Sequence, residues 1–275
     1  MNSNNGYILV LWDHSNEAVT SFQHALMLAE KSKFEILIAR ILKKRKLFES
    51  RETFEKEVVE ERECLNRKAL ELEAKFGLLP KTTIALGNFK SAVKKLLDEH
   101  HCSLIVCPEH ISIHKGLKVN ILNEFSSYGE IDIPIIIANN APRQEHETLE
   151  VVVPMEYHPE FKDTIDWVIL FSRKYHCNFD FVKPILSDAQ PKKELINNIY
   201  FTKQVLDNND IVYGIKTASK MKSFIDDIYD FANKIEANYI MSTTLNYHDY
   251  RKNPMFAEMP FICINPRKRK YRSFN

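Results

Sequence analysis

YILVLWDHSNEAVTSFQHALMLAEKSKFEILIARIL, Tyr7 to Leu42, decides the fold. Its first six residues are apolar without a break, as in a strand covered on both faces. From Asn16 to Lys33 the period changes: Val19, Phe22, Leu26 and Ala29 share one stripe, which predicts an amphipathic helix. A second apolar run, Phe34 to Leu42, follows at once. Strand, helix and apolar strand in this order make a parallel β-α-β unit with a right-handed crossover.

Working outward, Arg51 to Phe76 reads as a long charged helix with Phe54, Val58, Leu65, Leu72 and Phe76 inward, closed by Gly77 at its C-terminal cap. A short strand at Thr83–Leu86, a helix from Asn88 to His100 with Phe89, Val93, Leu96 and Leu97 inward, and a strand at Ser103–Cys107 follow. A loop with room for one more helix then leads to a closing strand at Ile133–Ala138.

The second half repeats this order. Strands are expected at Leu149–Met155, Asn178–Leu186, Ile211–Ile215, Asn238–Thr243 and Pro260–Ile264. Helices are expected at Phe161–Tyr175, Lys192–Leu206 and Lys220–Lys234, the last with Met221, Phe224, Ile228 and Phe231 inward. The closing stretches IDIPIIIANN and AEMPFICINP align with Pro134 opposite Pro260, and the polar APRQEHET separates the halves. The expected architecture is α/β: two tandem doubly wound parallel five-stranded sheets flanked by helices, one in residues 1–141 and one in 142–275.

Composition narrows the function classes. With 44% hydrophobic and 27% charged residues the chain has ample core material, and a net charge of +1 gives no general attraction to nucleic acid or anionic lipid. Basic character is local, in Leu42–Glu52 and in Arg267, Lys268, Arg269, Lys270 and Arg272 of the C-terminal tail. No nucleic-acid partner is expected apart from what that tail could contact. Every apolar run is strand-sized and MNSNNGYILVLWDHS carries no leader pattern, so a cytoplasmic protein without membrane contact is expected. The five cysteines are scattered without a C-x-x-C, as suits buried free thiols.

The first strand ending in Asp (VLWD), the helix SNEAVTSFQHALMLAEKS, the strands FEILIARIL and SLIVC and the closing Ile-Pro-Ile-Ile-Ile together resemble the universal stress protein family in its tandem form. The resemblance implies the adenine-nucleotide alpha-hydrolase type of fold with strand order 3-2-1-4-5, and a family in which some members bind ATP and others do not. It places Asp13 on the adenine side of a nucleotide crevice. ATP-binding members carry Gly-x2-Gly-x9-Gly-Ser/Thr after the fourth strand. Counted back from Pro134, those positions fall here on Pro108, Ile111, Ile121 and Leu122. Isoleucine in a left-handed conformation costs roughly 1–2 kcal/mol, and proline has no N–H to offer a phosphate. Gly116 with Ser126–Ser127 could form a substitute loop, but their spacing does not support one. In the second half the corresponding stretch, Ser242 to Pro260, spans 18 positions against 26 in the first, contains no Gly, and follows a first strand that ends near Glu156 in place of Asp. Two degenerate nucleotide sites follow, with no bound cofactor expected.

Ligands in such sheets sit beyond the carboxyl ends of strands 1 and 4, where Asp13, His14, Pro108, Glu109 and His110 would line a crevice. Asp13 has an equally good reading as a turn or helix-cap residue in WDHSN. The stretch HHCSLIVCPEHISIH, His100 to His114, is rich in metal-binding residues. If its centre is a strand rising about 3.3 Å per residue, His101 and Cys102 stand some 20 Å from His110, too far to share one zinc. Partial sites remain: Cys107 with His110, or His110 with His114, joined by Asp13 or His14. A Cys107 nucleophile with His110 or His14 as base is the thiol-enzyme reading. The leading expectation is a non-enzymatic stress-response regulator or scaffold. The alternatives are a nucleotide sensor with a non-standard loop, and a metal- or thiol-dependent enzyme at the Asp13, Cys107 and His110 crevice. Apolar closing strands near Ile135 and Phe261 are the expected contact for a protein partner or second chain.

Overall fold

The computed structural model describes residues 6–44, 50–114, 117–125, 131–143 and 147–267. The chain forms two compact units, Met1–Phe125 with Ile135–Pro142, and Ser126–Pro134 with Arg143–Asn275.

In unit 1 the order is β1 (Tyr7–Trp12), α1 (Asn16–Ser32), β2 (Glu35–Leu42), α2 (Arg51–Phe76), β3 (Lys81–Leu86), α3 (Phe89–His100), β4 (Cys102–Cys107), β5 (His110–His114), β6 (Leu117–Asn120), α4 (Ile121–Glu124) and β7 (Ile135–Ile137). Its sheet runs β3-β2-β1-β4-β7, every pair parallel, with Leu9 opposite both Leu37 and Ile105. Helices cover both faces, so β1 from Ile8 onward and β2 from Ile36 onward are buried without alternation.

Unit 2 contains β8 (Leu149–Pro154), α5 (Phe161–Tyr175), β9 (Cys177–Lys183), α6 (Ala189–Asp207), β10 (Tyr213–Thr217), α7 (Phe224–Lys234), β11 (Tyr239–Thr243), α8 (Thr244–Arg251), a 3-10 segment at Pro254–Glu258, and β12 (Phe261–Ile264). Its sheet is β10-β9-β8-β11-β12, again wholly parallel. Each unit therefore has the 3-2-1-4-5 order.

Helix starts follow side-chain capping: Ser15, Ser50, Asn88 and Ser223 each accept an N–H from the first turn. Gly77 ends α2 with φ of 78°, where a residue without Cβ is unstrained.

Several expectations are corrected. Of the expected α1 stripe Phe22 and Ala29 are buried, beside Ala18 and Ala25, while Val19 and Leu26 sit at its margin. Met221 precedes α7 and is 91% exposed, because the helix starts only at its Ser223 cap. The region after β4 is a β5–β6 hairpin followed by the short α4, and β11 runs directly into α8. Most of the basic C-terminal tail, with Gly116, Ser126 and Ser127, lies outside the described residues.

Candidate functional site

The carboxyl ends of β1 and β4 in unit 1 hold the sequence-derived candidates. Asp13 leaves β1 and uses both carboxylate oxygens within the chain. Its Oδ1 accepts from Ser15 N–H at 3.0 Å and from the Ser15 hydroxyl at 2.5 Å, fixing the turn whose Ser15 caps α1. Its Oδ2 accepts from the backbone N–H of Ser112 at 2.8 Å. Ser112 lies in β5, so the hairpin is drawn over the ends of β1 and β2.

Arg40 fastens the same hairpin from the other side. It is a guanidinium in a strand that is otherwise apolar from Ile36 onward, 8% exposed. It donates to the carbonyls of Trp12 (3.5 Å) and Ser112, and its Nε donates to Glu61 Oε1 on α2 at 3.0 Å. The same Glu61 oxygen lies 2.5 Å from His14 Nε2, while Trp12 Nε1 donates to His14 Nδ1 at 3.2 Å. These bonds hold His14 at φ 64°, a left-handed conformation that costs a non-glycine residue on the order of 1 kcal/mol. The His14 hydrogen bond, foremost, and the Arg40 charge keep the Glu61 carboxyl below its usual range. The chain thus links Asp13, Ser112, Arg40, Glu61, His14 and Trp12 into one network.

The remaining candidates sit elsewhere in this end of the sheet. Pro108 is buried. Glu109 N–H donates to Asn139 Oδ1 at 3.1 Å, and Asn120 Nδ2 stands between Glu109 Oε1 (3.5 Å) and His110 Nε2 (3.3 Å). The predicted lining therefore splits: Asp13 bonds Ser15 and β5, His14 bonds Glu61 of α2, and Glu109 and His110 stand by Asn120 at the end of β6. Ile111, Ile121 and Leu122, which alignment puts at phosphate-loop positions, are buried core residues, and neither they nor Pro108 take a positive φ. Cys107 is fully buried at the end of β4, and burial pushes its thiol far up. Cys102 stands at the other end of that strand, its thiol raised to about 12. Among the described residues no group of three or more His, Cys, Asp or Glu is placed to hold a metal ion, and all five cysteines are free thiols.

Unit 2 places Glu156 at the corresponding point, just beyond β8. Thr243, at the end of β11, donates its hydroxyl to Glu156 Oε1 at 3.4 Å. Asn198 from α6 donates to the backbone carbonyls of Glu156 (2.8 Å) and His158 (2.9 Å). Where a phosphate loop would begin, Thr243 is instead the N-terminal residue flanking α8. Sequence reasoning did not find Arg40, Glu61 or Ser112. Arg40 was visible as a charge inside the apolar run of EILIARIL, and the alternation in HISIH is a strand signal.

No protein-family model matches the chain and no curated protein matches it. Solved structures do. A universal stress protein from Archaeoglobus fulgidus DSM 4304 superposes with TM-score 0.66 at 14% identity, covering 96% of this chain and 99% of that one. A universal stress protein, described as putative, from Pseudomonas aeruginosa UCBPP-PA14 gives TM-score 0.58 at 13% identity over 94% and 93% of the two chains. A functionally unknown protein from Pseudomonas aeruginosa PAO1 gives 0.57 at 12% over 97% and 95%. The fold is therefore that of tandem universal stress proteins, matched along nearly the whole length. At such identities the likeness is one of architecture. No helix among the described residues is long and apolar enough to cross a membrane.

Proposed function

We propose that the chain is a non-enzymatic stress-response regulator or interaction scaffold of the universal-stress-protein type, acting in the cytoplasm, whose nucleotide crevices are closed by its own residues. One observation carries this reading: both oxygens of Asp13, the carboxylate aligned with the adenine side, are occupied by Ser15 and by the β5 backbone at Ser112. A nucleotide would have to lift the hairpin and re-expose Ile111 and Ile113, which are buried. At roughly 1.5–3 kcal/mol for each such side chain, that cost lowers apparent affinity by a factor on the order of 10² to 10⁴.

The second crevice supports the same reading by occupancy. The buried Glu156 side chain accepts from Thr243 at the start of α8, where an incoming phosphate would need free donors. The thiol-enzyme alternative has less support, since a reactive cysteine needs a thiolate, and burial at Cys107 favours the protonated form.

The test is the melting temperature of the purified chain with millimolar Mg-ATP. A shift below about 1 °C is expected. A rise of several degrees, which a ligand bound far above its Kd must give, would overturn the reading in favour of a nucleotide sensor.

A further inference from the structure

We propose that unit 2 carries a pH-sensitive latch: the Glu156 side chain, sealed between the carboxyl ends of β8 and β11, holds the start of α8 against the sheet while uncharged and releases it on ionisation.

The geometry is that of a carboxyl with neutral neighbours. Glu156 is 9% exposed. The Thr243 hydroxyl and backbone N–H and the Asn246 side chain bond to it from the end of β11 and the first turn of α8. From α6, Asn198 spends its amide hydrogens on backbone carbonyls and leaves the carboxyl uncompensated. The titratable groups facing it are of the wrong sign or neutral. Glu160, in the turn before α5, repels its charge, and Tyr250 of α8, with Asp249 beside it, is itself kept protonated by burial and by the Glu156 charge. His158 presents its backbone carbonyl to Asn198. Among the described residues no cation sets its ionisation, and burial raises the carboxyl to about 7.

The bonds from Thr243 and Asn246 favour the ionised form, but burial outweighs them, and a carboxylate buried without a counter-cation is relieved by water. The element that can admit water at least cost is α8. It has eight residues and no side-chain N-cap, so its own hydrogen bonds hold it weakly, and its docking depends on the buried Tyr247 and Tyr250. The direction follows from linkage. Closed unit 2 prefers the proton, whereas opened Glu156 reverts toward the usual carboxylate value of 4.5. Opening therefore grows easier as pH rises from about 4.5 to about 7, up to tenfold per pH unit, and levels off above that.

Amide hydrogen exchange of the full chain between pH 5 and 8, expressed as protection relative to intrinsic rates, tests the latch. Protection in residues 244–251 should fall roughly tenfold per unit from pH 5 to 7 and then level, while Glu156→Gln, which keeps the size and hydrogen bonding of the uncharged acid, abolishes that slope. The same slope in Glu156→Gln, or none in the unmodified chain, would overturn the proposal. Carbon-13 NMR of the Glu156 carboxyl in the unmodified chain decides the case should the variant not fold: a midpoint above 6 supports the latch, and one near 4.5 refutes it.

Discussion

Ser112 and Asp13, 99 residues apart in sequence, are joined by a backbone N–H to carboxylate bond of 2.8 Å. Through it the hairpin becomes part of the sheet's carboxyl end. A carboxylate that the fold could offer to a ligand serves instead as an anchor for the chain that covers it. Arg40 completes the clamp by donating to the Ser112 carbonyl, so one residue of β5 is held from both sides through its backbone alone.

Because these contacts use backbone atoms, the side chain at this position should be dispensable while the N–H is not. Ser112→Ala is expected to change stability by less than about 0.5 kcal/mol. Ser112→Pro, which deletes the donor and leaves Asp13 Oδ2 unpaired, should cost about 1–3 kcal/mol. Urea midpoints of the two variants measure the difference, and equal values would mean the bond carries nothing.

Glu61 bridges His14 and Arg40 with a single oxygen. Glu61→Gln leaves a nearly buried guanidinium without its counter-charge. With Glu61 partly open to water, the expected loss is about 1–2 kcal/mol, below that of a fully buried pair. Its carboxyl is held below the usual range, so its contribution is complete above about 4.5 and fades as pH falls through the depressed value. The gap between the unmodified chain and Glu61→Gln should therefore narrow in acid.

How far the sequence carried differs between the sheet and the crevice. Runs such as YILVLW and EILIARIL fix parallel strands because a sheet covered on both faces tolerates no alternation, and both become interior strands. The α1 stripe held at Phe22 and Ala29 but missed Ala18 and Ala25, because alanine is small and ambiguous and the larger Val19 and Leu26 beside them read as the inward residues. Asp13 was legible as a position but not by its partners. Those come from β5 and, through Arg40 and Glu61, from β2 and α2, and a long-range bond to a backbone N–H leaves no mark on residue identity. Short helices such as α8 escape periodicity because eight residues give barely two turns.

Restoring glycines at the aligned phosphate-loop positions should not restore nucleotide binding. Ile111 and Ile121 are core residues of the hairpin and of α4. Ile121→Gly is expected to cost about 3–5 kcal/mol, from the lost side chain plus added backbone freedom. The Pro108→Gly, Ile111→Gly, Ile121→Gly triple variant should melt well below the unmodified chain and show no shift with Mg-ATP. A stable, ATP-responsive triple variant would mean that the loop residues, and not the hairpin on Asp13, close the crevice.

The two units should respond to acid in opposite directions. His24 of α1 is buried, with Nε2 2.9 Å from the Asn140 carbonyl, and burial pushes it down to about 4 despite that bond. The unfolded chain, with an ordinary value of 6.5, binds the proton first. Stability from this site is thus complete above 6.5 and falls as pH drops toward 4. The fall amounts to roughly 2 kcal/mol between pH 6.5 and 5 at 1.36 kcal/mol per unit. Glu156, raised to about 7, does the reverse, since its folded form binds the proton that the unfolded form releases, and unit 2 gains stability as pH falls from 7 toward 4.5. Chemical denaturation at pH 7.5 and pH 5 separates the two terms. His24→Gln should remove the acid loss, and Glu156→Gln should remove the acid gain and raise stability at pH 7.5. If His24→Gln leaves the loss between pH 6.5 and 5 intact, the buried imidazole is not its source.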